Sequence, residues 1–385
     1  MIHFPNAITS KLPNVGTSIF SVMSQLANEH NAINLSQGFP DFQCAPELID
    51  LVTKHMGKGH NQYAPMQGVP ELRHAISDKT HSLYGLRYDP DKEINVTAGA
   101  TQAIYTAISA LIKEGDEVIV LEPAYDSYVP GILLAGGVPV YIELTPNTYQ
   151  IDWSIVKKKI SQRTKMIIIN TPHNPTGTTL NEKDMKMLEK TLSGTEIIVL
   201  SDEVYEHIIF DNIKHQSIAR YPKLAERSIL VYSFGKTFHA TGWKMGYCLA
   251  PENIMKEFRK AHQFIVYTCN TPIQYAIAEY LANEDNYNNL GAFYQKKRDY
   301  FCELIKDSRF TILPASGSYF QLLKYDNITD EKDMDYAIRL TKDFKIASVP
   351  VSAFYHKPIH NNILRFCFAK EKETLEKAAE KLCKI

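Results

Sequence analysis

The stretch Ser233-Phe234-Gly235-Lys236-Thr237-Phe238-His239-Ala240-Thr241-Gly242-Trp243-Lys244-Met245-Gly246-Tyr247 sets two lysines among glycines, hydroxyls and aromatics. It follows the apolar run Ser228–Tyr232, which reads as a buried strand. An ammonium directly after such a strand is poorly solvated. Desolvation lowers its pKa and leaves a neutral amine, a nucleophile for carbonyl carbon. Gly242 and Gly246 would let backbone approach closely, and Ser233 with Lys244 could hold a phosphate. Exposed lysines outnumber reactive ones, so this stretch alone leaves both readings of Lys236 open.

Two upstream segments add to it. Met166–Asn170 is an apolar strand running into Thr-Pro-His-Asn174-Pro-Thr-Gly177, a turn that would fix Asn174. Ile197–Leu200 is a second strand, delivering Asp202 at its end with Tyr205 three residues later. A pyridine ring used as an electron sink needs a carboxylate on its nitrogen and donors to its phenolate oxygen. Asp202, Asn174 and Tyr205 supply that set, and a nucleophilic Lys236 beside an anion site would hold pyridoxal 5′-phosphate as a Schiff base. Singly, Asp202 also fits a helix N-cap and Asn174-Pro175 an ordinary turn.

Asn-Pro-x-Gly, Ser-Asp-Glu-x-Tyr and Ser-x-x-Lys followed by Gly-x-Lys-x-Gly-Tyr, in this order, resemble the class I/II aminotransferases of fold type I. The resemblance runs from Ser36-Gln-Gly-Phe-Pro-Asp-Phe42 to Arg365. The phrases Glu122-Pro-Ala-Tyr-Asp-Ser-Tyr128, Ser233-Phe-Gly-Lys-Thr-Phe238 and Gly242-Trp-Lys-Met-Gly-Tyr-Cys248 are most similar to the methionine aminotransferase and kynurenine–glutamine transaminase branch. Two positions depart from the commoner pattern: Lys244 stands where many members carry Arg, and Gly235 where Ser is common. Both departures occur in that branch.

The elements that must position these groups are legible as patterns. Glu93–Val96, Glu117–Leu121, Val138–Ile142, Met166–Asn170, Ile197–Leu200 and Ser228–Tyr232 read as strands, with helical patterns at Gln102–Ile112 and Glu182–Leu192 between them. This alternation predicts an α/β fold with a mostly parallel sheet covered on both faces, whose ligands gather at strand C-terminal ends. A long helical region is expected from about Met255 to Asp307, then short strands and a Lys/Glu-rich terminal helix. The resemblance implies a large cofactor-binding domain over 45–285. It also implies a smaller α+β domain made of 1–44 and 286–385.

The resemblance also assigns roles to further residues. Thr97-Ala98-Gly99-Ala100-Thr101 follows a strand and opens a helix, so Gly99, Ala100 and Thr101 are expected on the cofactor phosphate; a tight turn capped by Thr101 is the local alternative. Tyr125 is expected to stack on the pyridine ring, with a core aromatic as the alternative. Tyr63, in the turn-rich loop 61–68, is expected to reach the partner's phosphate across a homodimer with shared active sites. Arg365 is a charge inside an apolar strand and needs an anionic partner. The resemblance gives it the substrate α-carboxylate, aided by Gly38, whereas a structural ion pair is the local alternative. Phe39, together with Tyr63 and Tyr267 contributed by the partner chain, is expected to line an apolar pocket suited to methionine or aromatic side chains.

Composition narrows the remaining classes. The 385 residues carry 42 basic and 43 acidic side chains, so nothing favours nucleic acid or a lipid surface as partner. The run Lys157-Lys158-Lys159 is expected to be a solvated helix face. Six cysteines lack paired spacing, which predicts no metal site and a reduced, cytoplasmic setting. Met1–Ala7 lacks the pattern of a signal peptide, and no apolar run is long enough to span a membrane. The expected activity is transfer of the amino group of an L-amino acid to a 2-oxo acid. A cysteine-conjugate carbon–sulfur β-lyase on the same fold is the alternative, and a non-catalytic binding module fits poorly with intact Lys236, Asp202, Tyr205 and Arg365.

Overall fold

The computed structural model describes residues 6–385, so the first five residues of the Met1–Ala7 stretch and of the expected 1–44 segment lie outside the described residues. Strands are numbered in chain order. They begin with β1 (Ile33–Asn34), β2 (Ile94–Thr97), β3 (Glu117–Glu122), β4 (Val138–Glu143) and β5 (Thr164–Asn170). Next come β6 (Ile198–Asp202), β7 (Ser228–Ser233), β8 (Gly246–Leu249), β9 (Thr311–Ile312) and β10 (Phe320–Lys324). The last are β11 (Ile346–Ala347), β12 (Val349–Pro350) and β13 (Ile363–Cys367).

Seven strands form one sheet in the order β2-β8-β7-β6-β5-β3-β4. All pair in parallel except β8, which runs antiparallel to both neighbours. Alternate residues feed opposite faces, as a two-residue period requires. Val118, Val120, Met166, Ile168, Ile229 and Val231 enter one apolar cluster, whereas Ile119, Ile167, Ile169 and Leu230 enter the other. With both faces covered, the strands read as continuous apolar runs. All six strands expected from the sequence are present. The seventh, β8, was hidden in the Gly-Tyr-Cys phrase.

Helices cover the sheet. The helix Glu182–Leu192 starts with a capping box, in which Asn181 Oδ1 accepts from the Asp184 N–H (3.1 Å) and Asp184 Oδ2 from the Asn181 N–H (3.1 Å). Lys157–Lys159 end the helix Trp153–Lys159 and are exposed, as expected. The long helical region is corrected to four helices, Glu252–Ile265, Thr271–Leu281, Asp285–Asn288 and Leu290–Leu304. The first break falls where Tyr267 turns left-handed (φ 69°) and Pro272 opens the next helix, because proline cannot donate into a continuing one.

A second sheet, β12-β13-β10-β9, is antiparallel and sets Leu322 opposite Arg365. Early and late chain meet in the β1–β11 pair, Ile33 beside Ile346. The two parts are also tied at one loop junction. The Gly177 carbonyl accepts from Ser316 N (2.8 Å) and Gly317 N (2.9 Å), and Gly317 bridges Ile209. Among the described residues no helix is long and apolar enough to cross a membrane. No group of three His, Cys, Asp or Glu is arranged to hold a metal ion among them.

Candidate active site

A cavity of about 210 Å³ opens at the C-terminal ends of the parallel strands. Its walls include Gly38, Gly99, Ala100, Thr101, Tyr125 and Asn174. They also include Asp202, Tyr205, Ser233, Lys236, Lys244 and Arg365. Twelve of the fifteen residues singled out from the sequence thus converge on one space.

Lys236 stands in the single-turn helix Phe234–Thr237 after β7, not directly on the strand end. Its Nζ donates to the Gly38 carbonyl (2.9 Å) and the Tyr319 hydroxyl (2.6 Å). Burial, opposed only in part by nearby anionic groups, lowers its pKa to about 8. Gly38 therefore presents its carbonyl to the lysine, and a Cβ there would meet the Phe320 ring at 2.8 Å.

Asp202 ends β6, and no helix follows it, so the N-cap alternative is set aside. Its Oδ2 accepts from the Tyr128 hydroxyl (2.6 Å) and its Oδ1 from Val204 N (3.3 Å). Burial raises its pKa to about 6 even though both bonds favour the ionised form. Tyr205 is buried, with its ring edge-on to Tyr319 at 5.1 Å. Tyr125 is half-buried, lines the cavity and sits 3.5 Å, oxygen to oxygen, from Thr101.

The helix Ala100–Leu111 begins at Gly99, whose φ of 80° suits a residue without Cβ, and no side chain caps it. Thr101 lies in the first turn, so the Thr101-cap alternative is corrected. The first N–H groups are left for an anion. Lys244 would lie 3.4 Å, at Nζ, from a Cβ placed on Gly99. Gly246 is needed for this approach because its Cβ would stand 2.6 Å from the Tyr232 carbonyl oxygen and 3.1 Å from Gly99. Gly242 has open space around it, so the close approach expected there is not found.

Arg365 is 1% exposed and, among the described residues, has no carboxylate within ion-pair distance. Nη1 donates to Asn174 Oδ1 (2.6 Å), Nη2 to the Ser36 carbonyl (3.0 Å), and Nε to nothing. The guanidinium lies 3.8 Å from the Phe320 ring centroid, and burial lowers its pKa to about 10. Among the described residues there is thus no structural ion pair, and the charge beside the cavity is answered only from a distance, by Asp126.

Phe39 does not line this cavity, and Tyr63 and Tyr267, expected there from a partner chain, lie on this chain's surface. Phe39 is 44%, Tyr63 81% and Tyr267 51% exposed; the last two pack edge-on at 5.4 Å. Within this chain Phe20 and Phe320 also line the cavity. Which aromatic faces inward depends on how the ends of the chain pack, and local sequence does not record that. Tyr128 and Tyr319 were also missed as site residues. Tyr128 had a local signal, three residues after Tyr125, but Tyr319 had none.

A buried amine of lowered pKa, a buried carboxylate and an arginine without an ion-pair partner among the described residues line one cavity, a set suited to amino-acid chemistry, and comparison with known proteins agrees. The family model for aminotransferase class I and II matches residues 30–382. The chain is 46% identical to the methionine aminotransferase of Escherichia coli, over 99% of both chains. It is 32% identical to kynurenine–oxoglutarate transaminase 1 of Mus musculus, over 94% of this chain and 93% of that one. The crystal structure of YbdL from Escherichia coli, identified there as a methionine aminotransferase, superposes with a TM-score of 0.97 at 46% identity, covering 99% of this chain and 100% of that one. The chain belongs to the class I and II aminotransferases and has their fold type I α/β architecture.

Proposed function

We propose that this class I and II aminotransferase holds pyridoxal 5′-phosphate in the cavity and moves the amino group of methionine, or of an aromatic amino acid or glutamine, to a 2-oxo acid. The observation that carries the reading is the unpaired, buried Arg365 facing the same space as the pKa-lowered Lys236. The donor set fits the cofactor. The uncapped turn at Gly99–Thr101, the Ser233 hydroxyl and Lys244 suit a phosphate. Asp202 suits a protonated ring nitrogen, Asn174 and Tyr205 the phenolate oxygen, and Tyr125 a ring face. When bound, pyridoxal 5′-phosphate supplies an aldehyde for amines and a ring that delocalises the electron pair left as Cα loses its proton.

The residues of the chain do the rest. Arg365 grips the substrate α-carboxylate through Nε and its remaining N–H hydrogens, held flat by Phe320. That grip orients Cα, and Lys236 Nζ takes and returns the Cα proton. Lys236, as a neutral amine above a pH of about 8, can act as that base without first losing a proton to water. Tyr128 and the Val204 N–H keep Asp202 aimed and favour its charge. The cations lining the cavity are Lys236, Lys244 and Arg365, and all three already have work. A distal carboxylate would stay unpaired beside Phe20 and Phe320, while methionine or an aromatic ring fits that wall.

The homodimer rests on the exposed, edge-on pair Tyr63 and Tyr267 and on Phe264, three residues before Tyr267 and 85% exposed, which a second copy would cover while receiving Tyr63 near its phosphate site. Six free thiols, four of them buried, support a reducing, cytoplasmic setting. The division into 45–285 and 1–44 with 286–385 is supported by the pairing of β1 with β11. Borohydride reduction of the native protein followed by peptide mapping should mark Lys236. Half-reaction spectra should show methionine exceeding aspartate by at least about a hundredfold in kcat/KM, about 2.7 kcal/mol. A mark on another lysine, or aspartate as the best donor, overturns the reading.

A further inference from the structure

Tyr319 belongs to no motif, yet its side chain is fully buried and its hydroxyl touches the reactive amine. It is delivered by a fixed piece of backbone. Ser318, just before it, is left-handed (φ 60°) and donates its N–H to the Ile208 carbonyl (2.9 Å), while the Tyr319 carbonyl accepts from Phe368 N (3.1 Å). The ring is wedged among Tyr205 (5.1 Å), Phe320 (5.0 Å) and Tyr294 (5.8 Å between centroids). A hydroxyl so placed has little freedom.

The hydrogen bonds form a triangle. Lys236 Nζ donates to the Tyr319 oxygen at 2.6 Å and to the Gly38 carbonyl at 2.9 Å, and the Tyr319 O–H donates to that same carbonyl. A carbonyl oxygen only accepts, and the phenol hydrogen is already committed, so toward Lys236 both oxygens are acceptors. A neutral amine has two hydrogens, and both are used. Its lone pair is left for the side taken by neither acceptor, and Lys236 is part of the cavity wall.

We infer that Tyr319 is a positioning residue for transamination: tethered to the Gly38 carbonyl, it parks the untied amine of Lys236 with its lone pair facing the cavity. The inference rests on Lys236 being the reactive amine. It goes further by assigning a holder to that amine during the steps when the lysine is bonded to nothing. Cys367, Arg365, Lys244 and Asp202 also act on the amine through space, but none hydrogen-bonds it.

The test uses the full chain loaded with pyridoxamine 5′-phosphate, in which Lys236 is free. Competitive labelling with acetic anhydride across pH, mapped at residue 236, reads the titration of the amine. Removing an acceptor from the ammonium disfavours the charged form, so Tyr319→Phe lowers the midpoint by about half a unit or more. Turnover falls about tenfold while KM stays within about twofold, as for an interaction absent from substrate binding. Tyr294→Phe is the matched control. It removes a buried hydroxyl without a partner from the same aromatic cluster and changes neither quantity. Replacing Tyr319 with 4-aminophenylalanine keeps a donor to Gly38 but accepts weakly, and it lowers the midpoint as Tyr319→Phe does. That variant decides the matter should Tyr319→Phe fold poorly. An unmoved midpoint at residue 236 in a folded variant, or a Tyr294→Phe effect of equal size, overturns the inference. Borohydride marking a different lysine in the native protein would instead overturn the assignment of Lys236.

Discussion

Lys79 and Arg365 are both buried cations, 5% and 1% exposed, and their surroundings differ in every respect that matters. Lys79 forms an ion pair with Glu206 and donates to the Tyr247 hydroxyl (3.1 Å). The Glu206 carboxylate also receives the Tyr84 hydroxyl and lies 3.3 Å from His207 Nε2. Burial pushes the Glu206 carboxyl upward, but Lys79 and His207 more than offset it, so it ends well below the usual carboxylate range. Nearby, Glu203 accepts from His215 (2.9 Å), Tyr232 (3.0 Å), Ser201 (2.9 Å) and Ile218 N (3.0 Å). Around the cavity the shifts run the other way. Asp202 is pushed up, and Lys236 and Arg365 are pushed down, because burial there is not fully answered by partners. A buried charge with its partners in place holds the fold together. One that lacks a partner waits for a ligand.

Breaking the satisfied cluster should cost stability and spare chemistry. Lys79→Met leaves the Glu206 carboxylate buried and unpaired, a loss of about 3–5 kcal/mol in denaturant unfolding, with kcat per folded molecule unchanged. Loss of turnover in a folded Lys79→Met protein would blur the distinction between the two clusters.

The unsatisfied cluster should behave in the opposite way. Asp202→Asn keeps the shape and a bond to Tyr128 but removes the charge, so it should lower kcat by about two to three decades, roughly 3–4 kcal/mol, with the unfolding midpoint near native. A near-native turnover would mean that Asp202 only shapes its turn. Arg365→Lys should cost about 2 kcal/mol, roughly thirtyfold in kcat/KM, and equally for every amino acid, since the α-carboxylate is common to all. A loss confined to one amino acid would place Arg365 on the side chain instead.

The sheet was legible because burial on both faces leaves no polar alternation to confuse, as the runs at β3, β5 and β7 show. The strand β8 was not, since it opens on Gly246 and lies within a motif rich in small residues. The helix Asp333–Asp343 was also unseen inside a segment read as mixed strands. Asp202 ends an apolar strand, Asn174 and Lys236 follow apolar strands, and Arg365 interrupts one, so a polar type against an apolar background made all four candidates in the sequence. Tyr128 and Tyr319 act on partners 74 and 83 residues away, and no local pattern encodes such a bond. Phe20 and Phe320 escaped as wall residues for the same reason. Phe39 and Phe20 are equally apolar in sequence, and only packing turns Phe20 inward.

The bond from Arg365 to the Ser36 carbonyl spans 329 residues, which has a meaning in time. A ribosome finishes the stretch holding Lys236, Asp202 and the phosphate turn before it makes Arg365. At about 5–20 residues per second the interval between Ala250 and Arg365 lasts roughly 6–23 s. During synthesis, then, Lys236 exists before Arg365, the residue proposed above to hold the substrate carboxylate. On the proposed roles, a product that stopped before β13 would carry Lys236 but lack the arginine that reads the α-carboxylate.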